Sequence, residues 1–161
     1  MRTLCAMKNQ MTDEQIKEYF DKVDRNIKVS GYHLTNVFAS KDTPSFFYST
    51  GIYKTFGIPE IFISSLPAGL CNELVQNYVK LFKDKQTIPL NEKLDYLTDR
   101  FAVYLIEVPK SKLTDYVLSS VRIYKDEDYR YLQVIFPDTK GHFPNDIGYD
   151  YDQEVMGKFG D

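Results

Sequence analysis

Short runs of β-branched and aromatic residues alternate along this 161-residue chain with segments whose apolar residues recur at helical spacing. These two periodicities predict strands and amphipathic helices within one sequence. The clearest strand is residues 101–108 (Phe-Ala-Val-Tyr-Leu-Ile-Glu-Val), which Pro109 ends. Further strands are predicted over 32–39, 45–53, 60–65 and 129–136. We therefore predict an α+β fold in which a mixed or antiparallel sheet of about five strands is covered by about three helices; an α/β layer with parallel edge pairs is the alternative.

Three segments have helical spacing. The first is predicted over 13–28, because Thr12 and Gln15 have the spacing of a capping box and Gly31 suits a helix end. The second is predicted over 68–83, with Pro67 in a position that suits the first turn. The third is predicted to be capped by Ser111 and to extend to Tyr124.

Charge is unevenly distributed along the chain. The net charge is −3, and residues 145–161 contain five acids and one base, which leaves 18 acids and 19 bases in the first 144 residues. We therefore predict three parts: a flexible N-terminal segment (1–11), an α+β domain (12–144) and an acidic, aromatic C-terminal tail (145–161). The balance lacks the excess of bases typical of a nucleic-acid-binding protein, so we expect no nucleic-acid partner.

The compartment is predicted from two absences in the sequence. The N-terminus lacks the apolar run of a secretory signal, and no window approaches the roughly 18 apolar residues of a membrane span. Two cysteines, Cys5 and Cys71, are too few for a disulfide framework. We expect a soluble cytoplasmic protein with reduced thiols that does not associate with a membrane.

Most sequence signatures of metal or cofactor chemistry are missing. The two histidines and two cysteines have no zinc-ligand spacing, and Gly51 and Gly57 fit no phosphate-binding loop. The acidic run 150–154 lacks the glycine of a calcium loop. We expect no metal and no cofactor. Cys71, near the start of a predicted helix, is either a nucleophile activated by the helix dipole or a small core residue.

Three segments taken together carry a family resemblance. They are Phe-Tyr-Ser-Thr-Gly-Ile-Tyr (47–53); Phe-Gly-Ile-Pro-Glu-Ile (56–61) with Ser-Leu-Pro (65–67); and Leu-Gln-Val-Ile-Phe-Pro-Asp (132–138) with Gly-His-Phe-Pro (141–144). The combination resembles a bacterial family known as domain of unknown function number 4262. Ile58 stands where that family commonly has histidine, and Phe136 and Asn145 stand where it has tryptophan. The resemblance implies an α+β bacterial cytoplasmic domain and implies no reaction.

Polar residues within and beside these segments define a possible ligand site. Glu60 and Asp138 lie next to prolines at predicted strand ends, and a shared cleft would allow acid–base chemistry. The alternative is that Glu60 caps a strand and Asp138 occupies a turn. The possible site consists of Thr50, Tyr53, Glu60, Asp138 and His142.

The tail suggests a protein partner. Tyrosine supplies contact area at low entropic cost, and carboxylates steer association with a basic surface. We therefore predict a non-enzymatic protein-binding module, most concretely an immunity-type protein that neutralises a basic bacterial toxin domain. The alternative is a small enzyme or ligand-binding domain, so catalysis and oligomeric state stay open. The predicted partner-binding residues are Asp146, Tyr149, Asp150, Tyr151, Asp152 and Glu154.

Overall fold

A five-stranded mixed sheet organises residues 11–160, the part of the chain that this computed structural model describes. The strand order is β1-β2-β3-β5-β4; β3 and β5 are parallel and the other pairs are antiparallel. The predicted α+β class is confirmed, and the first two strands pair as an antiparallel hairpin. The strands are β1 (His33–Val37), β2 (Phe46–Thr50), β3 (Glu60–Ser64), β4 (Tyr104–Val108) and β5 (Tyr131–Ile135).

The first helix, α1 (Asp13–Ser30), begins at the predicted residue and extends two residues further than predicted, up to the predicted Gly31 cap. The Thr12 hydroxyl accepts a bond from the Gln15 N–H, and the Gln15 side chain accepts one from the Thr12 N–H, which completes the capping box. Gly31 ends the helix with φ of 92°, and its N–H donates to the Ile27 carbonyl. These contacts satisfy groups that helix ends otherwise leave unpaired.

Two predicted element boundaries are wrong. The second strand was expected to continue to Tyr53, but it ends at Thr50, and residues 52–56 form a short helix, α2 (Ile52–Phe56), because Gly51 turns the chain with φ of 109°. The helix predicted to start at Ser111 begins later: Lys110–Lys112 is a 3-10 turn, and α4 spans Leu118–Tyr124.

The two faces of the sheet are covered differently. Helix α3 (Ala68–Phe82) covers one face, where Leu74, Val75 and Tyr78 are buried in the same apolar cluster as residues of β3 and β5. Helices α1 and α4 cover part of the other face, beside β1 and β2. Residues after 150 cover the remainder of that second face, near β5 and β4. This part of the sheet is therefore shielded from water by a segment that forms neither helix nor strand.

Residues 145–160 form neither helix nor strand, yet they are held by hydrogen bonds to the sheet. The N-terminal segment that was predicted to be flexible lies outside the described residues, apart from Met11. Among the helices of residues 11–160, none combines the length and the apolar character that crossing a membrane requires.

Candidate functional site

The first group of predicted site residues surrounds Glu60, the first residue of β3, which is fully buried. Its side chain points at the turn where β2 passes into α2. Five donors reach the two carboxylate oxygens: the backbone N–H groups of Gly51, Ile52 and Tyr53 and the hydroxyls of Ser49 (2.7 Å) and Tyr124. The three backbone bonds measure 3.0–3.2 Å. Glu60 therefore takes the place of a capping side chain for α2.

Two opposed effects act on the Glu60 carboxyl. Burial raises its pKa above the ordinary value, because removal from water penalises the charged form. The donors from Tyr124, Tyr53, Ser49 and Gly51 act in the opposite direction, because they stabilise the charge. With five donors on two oxygens, the carboxylate has no free lone pair for a substrate. The geometry is that of an internal anchor between β2, α2 and β3.

Tyr124, which sequence analysis placed only on an apolar helix face, completes this anchor from α4. Its hydroxyl donates to Glu60 and accepts bonds from the N–H groups of Gly51 (3.1 Å) and Lys54 (3.2 Å). Burial and the neighbouring Glu60 raise the pKa of Tyr124 far above its ordinary value, so the hydroxyl keeps its proton. Tyr53 lies edge-on to the Tyr124 ring, at 5.6 Å between ring centroids.

Thr50 is also buried, but its side chain belongs to a second cluster of polar groups, which includes hydroxyls of α4. Its hydroxyl lies 2.7 Å from the Ser120 hydroxyl, which also contacts the Tyr131 hydroxyl at 2.7 Å. Next to it, the Ser119 hydroxyl lies 3.1 Å from the hydroxyl of Tyr48. This polar layer was not predicted from the sequence. Two adjacent serines between the apolar residues Leu118 and Val121 were the available signal, since buried hydroxyls require partners.

The second group of predicted site residues lies in the turn after β5. Asp138 Oδ1 accepts bonds from the N–H groups of Lys140 and His142, both at 2.9 Å, and Oδ2 accepts one from Asp150 at 2.9 Å. Burial opposes ionisation of Asp138, but these three donors and the nearby His142 outweigh it and lower the pKa of the carboxyl. Asp138 thus stabilises the turn at residues 138–142 and links it, through the Asp150 N–H, to the tail.

His142 stands beside this carboxylate. Its Nδ1 atom lies 3.4 Å from Asp138 Oδ2, is buried and has no hydrogen-bond partner. The side chain as a whole is 40% exposed, and Gly148 packs against the ring. The ring therefore places one nitrogen next to a carboxylate while part of its surface stays open to water.

The topology separates the two groups. Glu60 is in register with Tyr131, the first residue of β5, whereas Asp138 follows the last residue of that strand, Ile135. With a rise of about 3.3 Å per residue, the length of β5 alone, about 13 Å, separates the two carboxylates, so they lie at opposite ends of the sheet. Thr50 and Tyr53 lie at the Glu60 end, and His142 lies at the Asp138 end.

The predicted partner-binding residues of the tail differ in exposure and in contacts. Asp146, Asp150, Tyr151 and Asp152 are exposed, although Asp146 Oδ2 also accepts a bond from the Phe143 N–H and the Tyr151 hydroxyl donates to the Ser65 carbonyl. Tyr149 and Glu154 are partly buried: the Tyr149 hydroxyl accepts a bond from Gln153, and Glu154 accepts a bond from Tyr116.

Two further observations concern cysteine and metal chemistry. Cys71 is fully buried in α3, and burial raises the pKa of its thiol to about 12, which disfavours the thiolate. Across residues 11–160, no three His, Cys, Asp or Glu side chains are grouped as a metal ion would require.

The fold and these groups define the class: a single α+β domain with a mixed five-stranded sheet and a buried carboxylate anchor. A family model described as "Domain of unknown function (DUF4262)" matches residues 26–150. The chain belongs to this family, as the resemblance indicated. Neither the curated proteins nor the solved structures contain a match to the chain.

Proposed function

We propose that this chain is a non-enzymatic, cytoplasmic protein-binding module of the immunity type, which neutralises a basic bacterial toxin domain. The observation that carries the proposal is an exposed acidic loop, defined here as Asp146, Ile147, Asp150 and Asp152. Among the ion pairs of the described residues, none involves its three carboxylates. Ile147 is 99% exposed at the centre of the loop.

The chemistry of the loop suits a cationic partner. Three carboxylates without ion-pair partners create a local negative potential, which accelerates the approach of a positively charged surface. An exposed isoleucine between them provides apolar area that a partner can bury. The bonds from Phe143 to Asp146 and from Asp150 to Asp138 hold the loop in one conformation, which lowers the entropic cost of binding.

The test is co-expression with the product of the neighbouring open reading frame. We expect that product to inhibit growth and the wild-type chain to relieve the inhibition. The double variant Asp150→Lys, Asp152→Lys should lose this protection. The matched control is Asp84→Lys, Asp126→Lys, which makes the same charge change at two other exposed acids and should protect fully.

A binding measurement tests the same proposal quantitatively. With purified partner, the double variant should bind at least tenfold more weakly, and the wild-type association rate should fall as ionic strength rises. The proposal is wrong if no neighbour is toxic, if the chain relieves no toxicity, or if the acidic-loop variant protects as well as its control.

A second candidate function, a small enzyme or ligand-binding domain, is favoured by the Asp138–His142 pair. A carboxylate next to Nδ1 with the ring partly exposed is the arrangement of a general base. Under this candidate, His142→Gln should abolish the binding or turnover of a small molecule. Under the protein-binding proposal, the same variant should retain full protection against the toxin.

A further inference from the structure

The two edge strands of the sheet differ in how they are covered. Beside β4, the Asn91 N–H donates to the Leu105 carbonyl at 2.9 Å, and Leu94 bridges to Val103. Within residues 11–160, no segment pairs in this way with the outer side of β1. β1 also contains none of the lysine, acidic or proline residues that commonly prevent pairing at an edge. A further strand can therefore join the sheet at β1.

The backbone groups at this edge are assigned from the pairing of β2 with β3. The Ser65 N–H donates to the carbonyl of Ser45, so the odd-numbered residues of this segment face β3. Since successive residues of a strand face opposite neighbours, the even-numbered residues of β2 face β1. Their register partners there are His33, Thr35 and Val37. Leu34 and Asn36 therefore direct two N–H and two C=O groups away from the sheet.

Helix α1 lies over β1 on one face of the sheet. The Tyr19 hydroxyl lies 2.7 Å from that of Thr35, and the Asn26 side-chain nitrogen lies 2.8 Å from His33 Nδ1. Burial lowers the pKa of His33, and the charge of Lys22 lowers it further, so this lysine is also close to the strand. A strand added at the edge would have one row of its side chains beside α1.

The side of α1 beyond the edge strand carries an excess of unpaired positive charge. On its other side, α1 meets α4 through Asp24, which pairs with an arginine at 2.7 Å. A cavity of about 560 Å³ runs along the outer side, where its charged lining residues are Glu18, Asp21, Lys22 and Arg25. Asp21 is already paired within the helix, and the other three form no ion pair among the described residues. Two cations facing one acid favour an acidic segment.

The position of α1 also decides what kind of molecule fits the edge. Neighbouring strands lie about 4.7–4.9 Å apart, whereas packed helices need about 8–10 Å between their axes. A second copy that paired its own β1 here would place its α1 on the same face, too close to this one. An extended segment without a helix over that face avoids this overlap.

The opposite face of the edge is apolar. Tyr32 and Leu34 are half-buried and pack against the main apolar cluster under α3. Residues of an added antiparallel strand that pair with Leu34 and Asn36 have their side chains on this face. Apolar side chains there would extend the core, while the intervening residues would face α1.

We propose that β1 binds an extended segment of a partner protein as an antiparallel sixth strand, in which acidic residues alternate with apolar ones. The acidic side chains lie beside Lys22 and Arg25, and the apolar ones lie beside Leu34. Main-chain bonds give such a complex its affinity, and the alternating side chains give it specificity. The acidic loop suits a cationic surface, so this second surface takes a different partner and does not rest on the first proposal.

The probe is a fluorescein-labelled peptide, Ser-Glu-Val-Glu-Val-Glu-Val-Ser, and the readout is fluorescence anisotropy with the full chain at pH 7.5. We expect saturable binding to the wild type. The control peptide Ser-Glu-Glu-Glu-Val-Val-Val-Ser has the same composition without the alternation. It should bind at least tenfold more weakly, because its side chains cannot match both faces.

Two N-methylated forms of the probe test the backbone pairing. In the antiparallel arrangement, the valines direct their N–H groups at Leu34 and Asn36, and the glutamates direct theirs at solvent. Methylation of the valine nitrogens should therefore abolish binding, whereas methylation of the glutamate nitrogens should change the affinity less than threefold.

A charge reversal on the protein locates the site. Lys22→Glu should weaken binding of the probe at least tenfold. The matched control is Lys85→Glu, the same change at an exposed lysine beyond α3, and it should leave the affinity unchanged. Thermal unfolding establishes that both variants are folded before binding is compared.

Several results would overturn the proposal. They are no binding of the probe to the wild type, equal binding of the control peptide, equal affinities of the two methylated forms, and equal affinities of the two charge variants. A wild-type dimer that Asn36→Pro abolishes in sedimentation would assign the edge to a second copy instead. Displacement of the probe by a peptide of residues 1–10 would assign it to the chain's own N-terminal segment.

Discussion

Replacing Glu60 by glutamine tests whether the buried carboxylate stabilises the fold. The change preserves size but converts one acceptor oxygen into an NH2 group. In one orientation of the amide, the NH2 group faces the Ile52 N–H; in the other, it faces the N–H groups of Gly51 and Tyr53. Either way, at least one buried backbone donor loses its acceptor.

The magnitude follows from two competing effects. An orphaned buried donor costs about 1–3 kcal/mol, and the remaining bonds to Glu60 lose their charge-assisted strength. Removing the charge also stabilises the folded state, because a neutral amide has a smaller desolvation cost than a carboxylate; this cost is the effect that raises the pKa of Glu60. Since five donors already replace the water around this carboxylate, we expect the first effect to exceed the second. The expected loss is about 2–4 kcal/mol in the free energy of unfolding, or a fall in Tm of roughly 4–16 °C for a domain of this size.

The assay is urea unfolding at pH 8 together with thermal unfolding. Glu107→Gln is the matched control, because Glu107 on β4 is a half-exposed carboxylate paired with Arg130 at 2.7 Å. A surface pair contributes about 0.2–1 kcal/mol, so the control should lose no more than that. If Glu60→Gln is as stable as its control, or more stable than the wild type, desolvation outweighs the donors and our account of the anchor is refuted.

Three further predictions concern other parts of the fold. Gly157→Ala should lower the free energy of unfolding by about 1–3 kcal/mol through overlap with the Glu107 carbonyl, whereas Gly69→Ala, which meets open space in α3, should cause no loss; thermal unfolding compares them. Burial lowers the pKa of His33 below 6.5, so its contribution is complete above pH 6.5 and is lost as the pH falls through the folded-state pKa. Urea unfolding between pH 8 and pH 5 should therefore show a smaller pH dependence in His33→Gln than in the wild type, and equal curves would contradict this. Iodoacetamide at pH 8 should label Cys71 only under unfolding conditions, because the thiol is buried and its pKa is about 12; peptide mass spectrometry detects rapid native-state labelling if this is wrong.

The separation of the residues in the possible ligand site could not be predicted from the sequence. Glu60 and Asp138 were grouped because both lie beside prolines at strand ends, but the order in which strands join a sheet is not written in any local pattern. The parallel pairing of β3 with β5 puts the start of one beside the start of the other, and the two carboxylates therefore lie at opposite ends. Most of their hydrogen-bond partners lie within about a dozen residues in the sequence, and only Tyr124 comes from a distant part of the chain.

The burial of Gln133 is not predicted by the residues around it in the sequence. It stands in the apolar run Leu-Gln-Val-Ile-Phe, where one polar residue is easily assigned to an exposed strand face. Its burial is explained by Glu154 and Met156, which lie more than twenty residues later in the sequence and give both ends of the amide a partner. A single polar residue in a strand that is otherwise apolar was the available signal.

The local elements follow from patterns within short stretches of sequence. The Thr12–Gln15 capping box, Gly31 and the apolar runs of β3 and β5 depend on contacts within a few residues, so their patterns predict them directly. The uneven charge of the tail is likewise a property of the sequence. Two other features depend on contacts between distant elements: α2 forms because its N-terminal N–H groups find an acceptor in Glu60, and residues 151–160 cover the sheet because their backbone binds Gln133. A short segment gains too little from its own hydrogen bonds to offset the entropy of ordering it, so its conformation depends on partners that the fold brings from elsewhere.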